Sequence, residues 1–302
     1  MRPLDGLDAL YGPGSAAWRY NREATLLLGA GPRALLLQVA HPLVAEGVAQ
    51  HSDFRTDPWG RLAGTLRSYL RIVYGGPDAA RDEIRRLNRL HARVTGPVLD
   101  EGAAARHGDR YRALDPELSL WVHATLIDSL LVVTEAWTGP MPADDRARFY
   151  AETRPVGRAF GVPEDLLPAD IDAFDAYVAS MLAGEGPVHP TATARELARS
   201  ILSPPLEGVI GGRVKVILGS AAEPARRLLA LVPQPAVDAL LLPAVGLLPA
   251  RTREEYGLAW GSAERAIEAW LVTGWRFWMP RLPTSFRWFP QAIAADERVD
   301  HR

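Results

Sequence analysis

Apolar residues recur along this chain at spacings of three and four almost throughout, and no alternating run is long enough to propose a sheet. The pattern predicts an all-α fold. A first helix is expected over 15–28, broken by Gly29-Ala30-Gly31. A second is expected over 32–40, where Pro32 suits a first helical position. That second segment is apolar on most sides, the mark of a core helix. His41-Pro42 forces a kink or restart, because the residue before proline disfavours helical angles, and helix continues to about Gln50.

Asp57-Pro58 and Asp115-Pro116 pair a capping acid with proline at the first helical position. They open predicted helices over 58–74 and 116–137, and Pro77-Asp78 opens another over 77–94. In that last one Ala80, Ile84, Leu87, His91 and Val94 form one stripe, so His91 lies on an apolar face. Further helices are expected over 143–160, 170–183, 191–202, 222–231 and 251–278, followed by a tail dense in aromatics and prolines. No Gly/Ser-rich linker divides the chain, which favours one domain over 1–302.

Composition narrows the chemistry. A net charge of −2 offers no basic footprint for nucleic acid. The absence of cysteine removes disulfides, thiolate nucleophiles, iron–sulfur clusters and thiolate-ligated haem. The most apolar long stretch, 228–248, is interrupted by Pro233, Pro235, Asp238 and Pro243. It reads as buried helices joined by turns, not a membrane span. The polar, Gly- and Pro-containing N-terminus lacks a signal pattern, so a cytoplasmic enzyme is expected.

Candidate chemistry gathers on histidines. His107, His189 and His301 sit in polar surroundings and are expected to face solvent. His41 precedes a proline at the kink, where freed carbonyls need donors. His51 near a helix end suits a carbonyl contact or a pocket mouth. A histidine on an apolar stripe such as His91 must be satisfied, because an unpaired buried imidazole costs on the order of 1–3 kcal/mol. A backbone carbonyl or an iron atom each does this. His123, with apolar neighbours on both sides, reads as a second ligand, a pocket donor or a core residue. Arg61 and Thr65 lie four apart and share a helix face, where they can grip a propionate or bound oxygen, or stand as a surface arginine and a helix-satisfied threonine. No Glu-x-x-His pair, His-Glu-x-x-His helix, P-loop or Gly-x-Ser-x-Gly elbow occurs. Gly29-Ala30-Gly31 lacks the third glycine and preceding strand of a dinucleotide site.

The stretches GPRALLLQVAHPLVAEGVAQHSDFRTDPWGRLAGT, IRRLNRLHARVTG, YRALDPELSLWVHATL, FYAETRPVGRAFGVP and LPAD occur in that order. Together they resemble the haem oxygenase family of the mycophenolate-pathway oxygenase and the catalytic domain of rubber oxygenase (latex clearing protein). The likeness is strongest over 18–177. Helices over 190–280 would pack on that core, and 281–302 would be a tail.

The resemblance implies haem b, a histidine ligand to its iron, and oxidative cleavage of a carbon–carbon double bond in an isoprenoid. By position it implies His91 as the iron ligand, with Arg61 and Thr65 as the pair near the haem. Glu46 is the nearest candidate for a catalytic base, and His123 a further cofactor-side residue. The rubber oxygenases carry a lysine just before that threonine, where this chain has Gly64, so the distal side differs. The expected partners are a hydrophobic small molecule, O2 and an unnamed electron donor, with a homo-oligomer left open. Competing readings are a haem protein without oxygenase activity (carrier, sensor or peroxidase-like) and a metal-free helical binder of a hydrophobic ligand.

Overall fold

The computed structural model describes residues 6–7, 12, 14–23, 26–52, 58–203 and 233–300. Helix dominates them. The first half carries α1 (Ala16–Asn21), α2 (Leu26–Ala40), α3 (Pro42–His51), α4 (Pro58–Tyr74), α5 (Pro77–His91), α6 (Glu101–His107) and α7 (Pro116–Thr138). The second carries α8 (Ala143–Ala159), α9 (Ile171–Leu182), α10 (Ala192–Leu202), α11 (Gln234–Leu240), α12 (Leu242–Gly246), α13 (Ala250–Tyr256), α14 (Ser262–Trp278), α15 (Thr284–Arg287) and α16 (Pro290–Asp300). The all-α expectation holds. The helix expected over 222–231, Asp57 and His301 lie outside the described residues.

The centre is α2 lying along α7. Both are apolar on nearly all sides, so neither is stable except when surrounded. By length and composition α7 is able to cross a membrane, yet 67% of its most apolar window is buried inside the protein, as a core helix requires. A buried ionic knot fastens the pair. Arg33, 3% exposed, donates to Asp128 Oδ2 at 2.6 Å, Ser129 Oγ at 2.9 Å and the Leu247 carbonyl at 2.8 Å. Desolvating a guanidinium is tolerable only with donors satisfied in this way.

The predicted break at Gly29-Ala30-Gly31 does not occur, and α2 runs through both glycines and Pro32. The glycine is there for contact: a Cβ at Gly29 would lie 2.8 Å from Val133 and 3.0 Å from Trp137 on α7. Close helix approach outweighs the roughly 1 kcal/mol helix penalty of glycine. The restart at His41-Pro42 is as expected, but His41 acts as the N-cap of α3 by accepting the Leu43 N–H; it does not donate to freed carbonyls. The Leu37 carbonyl, loosened where α2 ends, is taken by Trp121 Nε1 at 3.1 Å.

Two other expectations fail for local reasons. The helix expected over 251–278 is split, because Gly257 adopts φ 70, a left-handed end that closes α13 before α14 begins. The described chain also contains a small antiparallel sheet, β1 (Thr95–Pro97) with β2 (Arg110–Arg112), too short to show alternation. Gly96 faces Tyr111 across it, and a Cβ there would stand 2.6 Å from the Tyr111 hydroxyl and from Gln50 Oε1.

Candidate functional site

The helical pair α4 and α5, joined by Gly75-Gly76, builds the site. Gly76, at φ 84, sits before the Pro77 that starts α5. Ala80, Glu83 and Ile84 of α5 are buried, and Leu87 packs against the core. His91 follows on the same stripe as the last residue of α5, three residues earlier than the predicted helix end. Its ring lies 6.4 Å from that of Phe160 at the end of α8. Neither ring nitrogen has a hydrogen-bond partner among the described residues. Desolvation first, then the charges of Arg61 and Arg86, hold the imidazole below its ordinary pKa. His91 is thus neutral, half-buried and unpartnered, with a free lone pair.

Arg61 and Thr65 stand as the spacing predicts. Arg61 Nη1 donates to Thr65 Oγ1 at 2.5 Å and its Nε to Ser52 Oγ at 3.1 Å, while the threonine hydroxyl returns to the Arg61 carbonyl at 3.0 Å. The guanidinium is anchored at both ends, between α4 and the end of α3. Arg61 touches water, yet desolvation lowers its pKa. The guanidinium is thus crowded by protein although the residue stays exposed. Tyr69, two turns along from Arg61, shows the same pairing of partial exposure with a pKa raised by burial, and its hydroxyl donates to Asn21. A Cβ at Gly64 would meet no described residue within 4 Å, so there is room for a larger side chain at this position among the described residues.

The other candidates divide. Glu46 on α3 is 2% exposed, and its carboxylate accepts from Gln50 Nε2 at 2.7 Å. Gln50 also donates to the Pro97 carbonyl and accepts from the Tyr111 hydroxyl at 3.0 Å, tying Glu46 to the hairpin. His51 Nε2 lies 3.2 Å from the carbonyl of Thr95 on β1, not from the last carbonyls of its own helix, where a contact was expected. His123 differs in its burial. It is buried on α7 against Gly157 of α8, where an added Cβ would lie 3.0 Å from His123 and from Leu167. Its Nε2 is unpartnered, and burial pushes its pKa down to about 4, offset in part by the Thr153 backbone.

His107 and His189 do not face solvent as expected. Both are half-buried with their Nε2 atoms sealed off, because α6 and the segment before α10 fold them back against α3. Sequence reading also missed Arg86 and Phe160. Arg86 is held by Glu83 at 2.6 Å and the Ser68 hydroxyl at 3.1 Å, an i,i+3 spacing visible in the sequence. Phe160 carried no such signal, since its meeting with His91 is set by how α8 packs.

With this geometry the comparisons become informative. The model of the family described as ER-bound oxygenase mpaB/B'/Rubber oxygenase, catalytic domain, matches residues 18–281. The chain belongs to this family. In this oxygenase-family chain the match spans Glu46, Arg61, Gly64, Thr65, His91 and His123 together. Two curated relatives, both called uncharacterized, are Mb2261 of Mycobacterium bovis and Rv2237 of Mycobacterium tuberculosis. Each is 29% identical over 174 residues, covering 56% of this chain and 64% of its own length. No solved structure matches the chain. Among the described residues no group of three or more His, Cys, Asp or Glu is arranged to hold a bare metal ion. A haem iron asks less, since its four equatorial ligands come from the porphyrin and the protein supplies an axial one.

Proposed function

We propose that this protein is a haem b-dependent oxygenase that oxidises a hydrophobic, isoprenoid-like small molecule, cleaving a C=C bond with both atoms of O2 to give two carbonyl ends. One observation carries the reading: a neutral, unpartnered His91 beside an anchored Arg61–Thr65 pair, with room at Gly64 for a larger group among the described residues.

These residues fit a haem. His91 would be the iron ligand, because a metal needs a deprotonated nitrogen and the two nearby guanidiniums disfavour the imidazolium. The bound haem supplies O2 binding and activation, which no side chain provides. Arg61, fixed by Ser52 and Thr65, presents a charge-assisted donor to a propionate or to an oxygen carrying negative charge. Glu46, held in place by Gln50, would be the base, as the resemblance implies. Gly64 leaves room for substrate where the rubber oxygenases place a lysine, so O2 and a bulky alkene share a more open face.

The test is oxygen uptake by reduced, haem-loaded protein given polyprenyl or polyene compounds. Stoichiometric O2 consumption with carbonyl products is expected. Haem binding without uptake across such a series would turn the reading into that of a carrier or sensor. A protein that stays colourless and rejects added haemin would leave a metal-free binder of hydrophobic ligands.

A further inference from the structure

A second cluster lies at the opposite end of α3 from His51. His41, at its N-cap, is 5% exposed, and its ring centroid lies 5.3 Å from that of His107, the last residue of α6. His41 and His107 both feel the nearby His189, which accepts a 2.9 Å hydrogen bond at Nδ1 from Arg251 Nη2 of α13. Glu255 holds Arg251 Nε at 2.7 Å and stands 3.9 Å from His189.

Their partners fix the tautomers. His41 Nδ1 accepts the Leu43 N–H at 3.3 Å, so its proton is on Nε2. His189 Nδ1 accepts from a guanidinium, which can only donate, so its proton is also on Nε2. No described residue accepts from either. His107 Nε2, His189 Nε2 and Arg251 Nη1 are all buried without a partner. The protons of His41 and His189 thus sit on nitrogens from which no described residue accepts, in a cluster that also holds an unpartnered guanidinium nitrogen, and each buried orphan donor costs on the order of 1–3 kcal/mol.

We infer that this cluster is a binding site for a small oxyanion group, a carboxylate or a phosphate, bridging α3, α6, the segment before α10, and α13. A cation is excluded because His41 and His189 present N–H bonds, not lone pairs, at their free positions. The surrounding charge agrees: Arg251 and Arg106 outnumber Glu255. Burial first, then the neighbouring imidazoles, push His41 down to about 3. The orphan atoms are closed to solvent, so an anion reaches them only when the packing around them opens. The proposal is independent of the oxygenase reading.

The test is thermal denaturation of the full chain titrated with acetate, with inorganic phosphate, and with chloride at matched ionic strength. Wild type is expected to give a saturable rise in Tm with acetate or phosphate and none with chloride; whichever acts identifies the source chemistry. His107→Phe keeps the ring against His41 but removes the orphan nitrogen. It is expected to fold with unchanged or higher Tm and to weaken anion binding about tenfold, the effect of one charge-assisted hydrogen bond. Equal responses to all three anions, or a response unaltered in His107→Phe, would overturn the assignment.

Discussion

His91 on α5 and His123 on α7 are both held below the ordinary pKa first by desolvation, yet they occupy opposite kinds of environment. His91 closes α5 where water still touches it, with Arg61, Arg86 and Phe160 around it. His123 is in the middle of α7, buried against Gly157, whose added Cβ would lie 3.0 Å from it. Each region contains a glycine that reports its packing. At Gly64 an added Cβ finds no described residue within 4 Å, whereas at Gly157 it would meet His123 and Leu167 at 3.0 Å. An unpartnered lone pair is available for ligation. An imidazole filling a gap between helices is a packing element, whatever its motif suggests.

The sharpest way to break the comparison is to delete each ring. His91→Ala should lower haemin affinity by about 100-fold or more, on the scale of lost ligation, with Tm nearly unchanged because the ring is only half-buried. His123→Ala should do the reverse, destabilising by about 3 kcal/mol through a core cavity while haemin affinity stays within about twofold. Absorption titration and chemical denaturation on the same preparations read both effects.

Acid comes next. His123 titrates near 6.5 when unfolded and at about 4 when folded, so below 6.5 the unfolded chain binds more protons. Stability should be full above pH 6.5 and fall by up to about 3 kcal/mol as pH drops from 6.5 to 4, and His123→Phe should flatten that slope. A slope unchanged in the variant would move the acid sensitivity elsewhere.

The glycine pair gives the smallest effects, with opposite signs. Gly157→Ala should cost about 1–3 kcal/mol by overpacking. Gly64→Ala should stabilise by up to about 1 kcal/mol through helix propensity alone. Urea midpoints of the two variants measure the difference. Destabilisation by Gly64→Ala would mean that the space beside it is already filled.

Much of this was legible in the sequence because it is local. Proline at the first helical position set the starts of α5 and α7, with Asp115 capping α7, and the helices expected over 143–160, 170–183 and 191–202 were observed within a residue of those bounds. The stripe leading to His91 and the four-residue step from Arg61 to Thr65 are also local, and both survive. What was illegible depends on neighbours distant in sequence. Gly29 reads as a breaker until Val133 and Trp137 are beside it. His107 and His189 read as solvent-facing until α3 is seen between them. His123 and His91 present similar apolar surroundings in one dimension, and only packing against α8 separates a core ring from a free one.

The most direct measurement replaces His91 with glycine and asks whether free imidazole can stand in for it. Wild type loaded with haemin should show the absorption spectrum of histidine-ligated iron. His91→Gly should lose that spectrum and regain it on addition of imidazole, with the fold intact throughout. A glycine variant that takes up haemin with the wild-type spectrum, before any imidazole is added, would contradict His91 as the ligand.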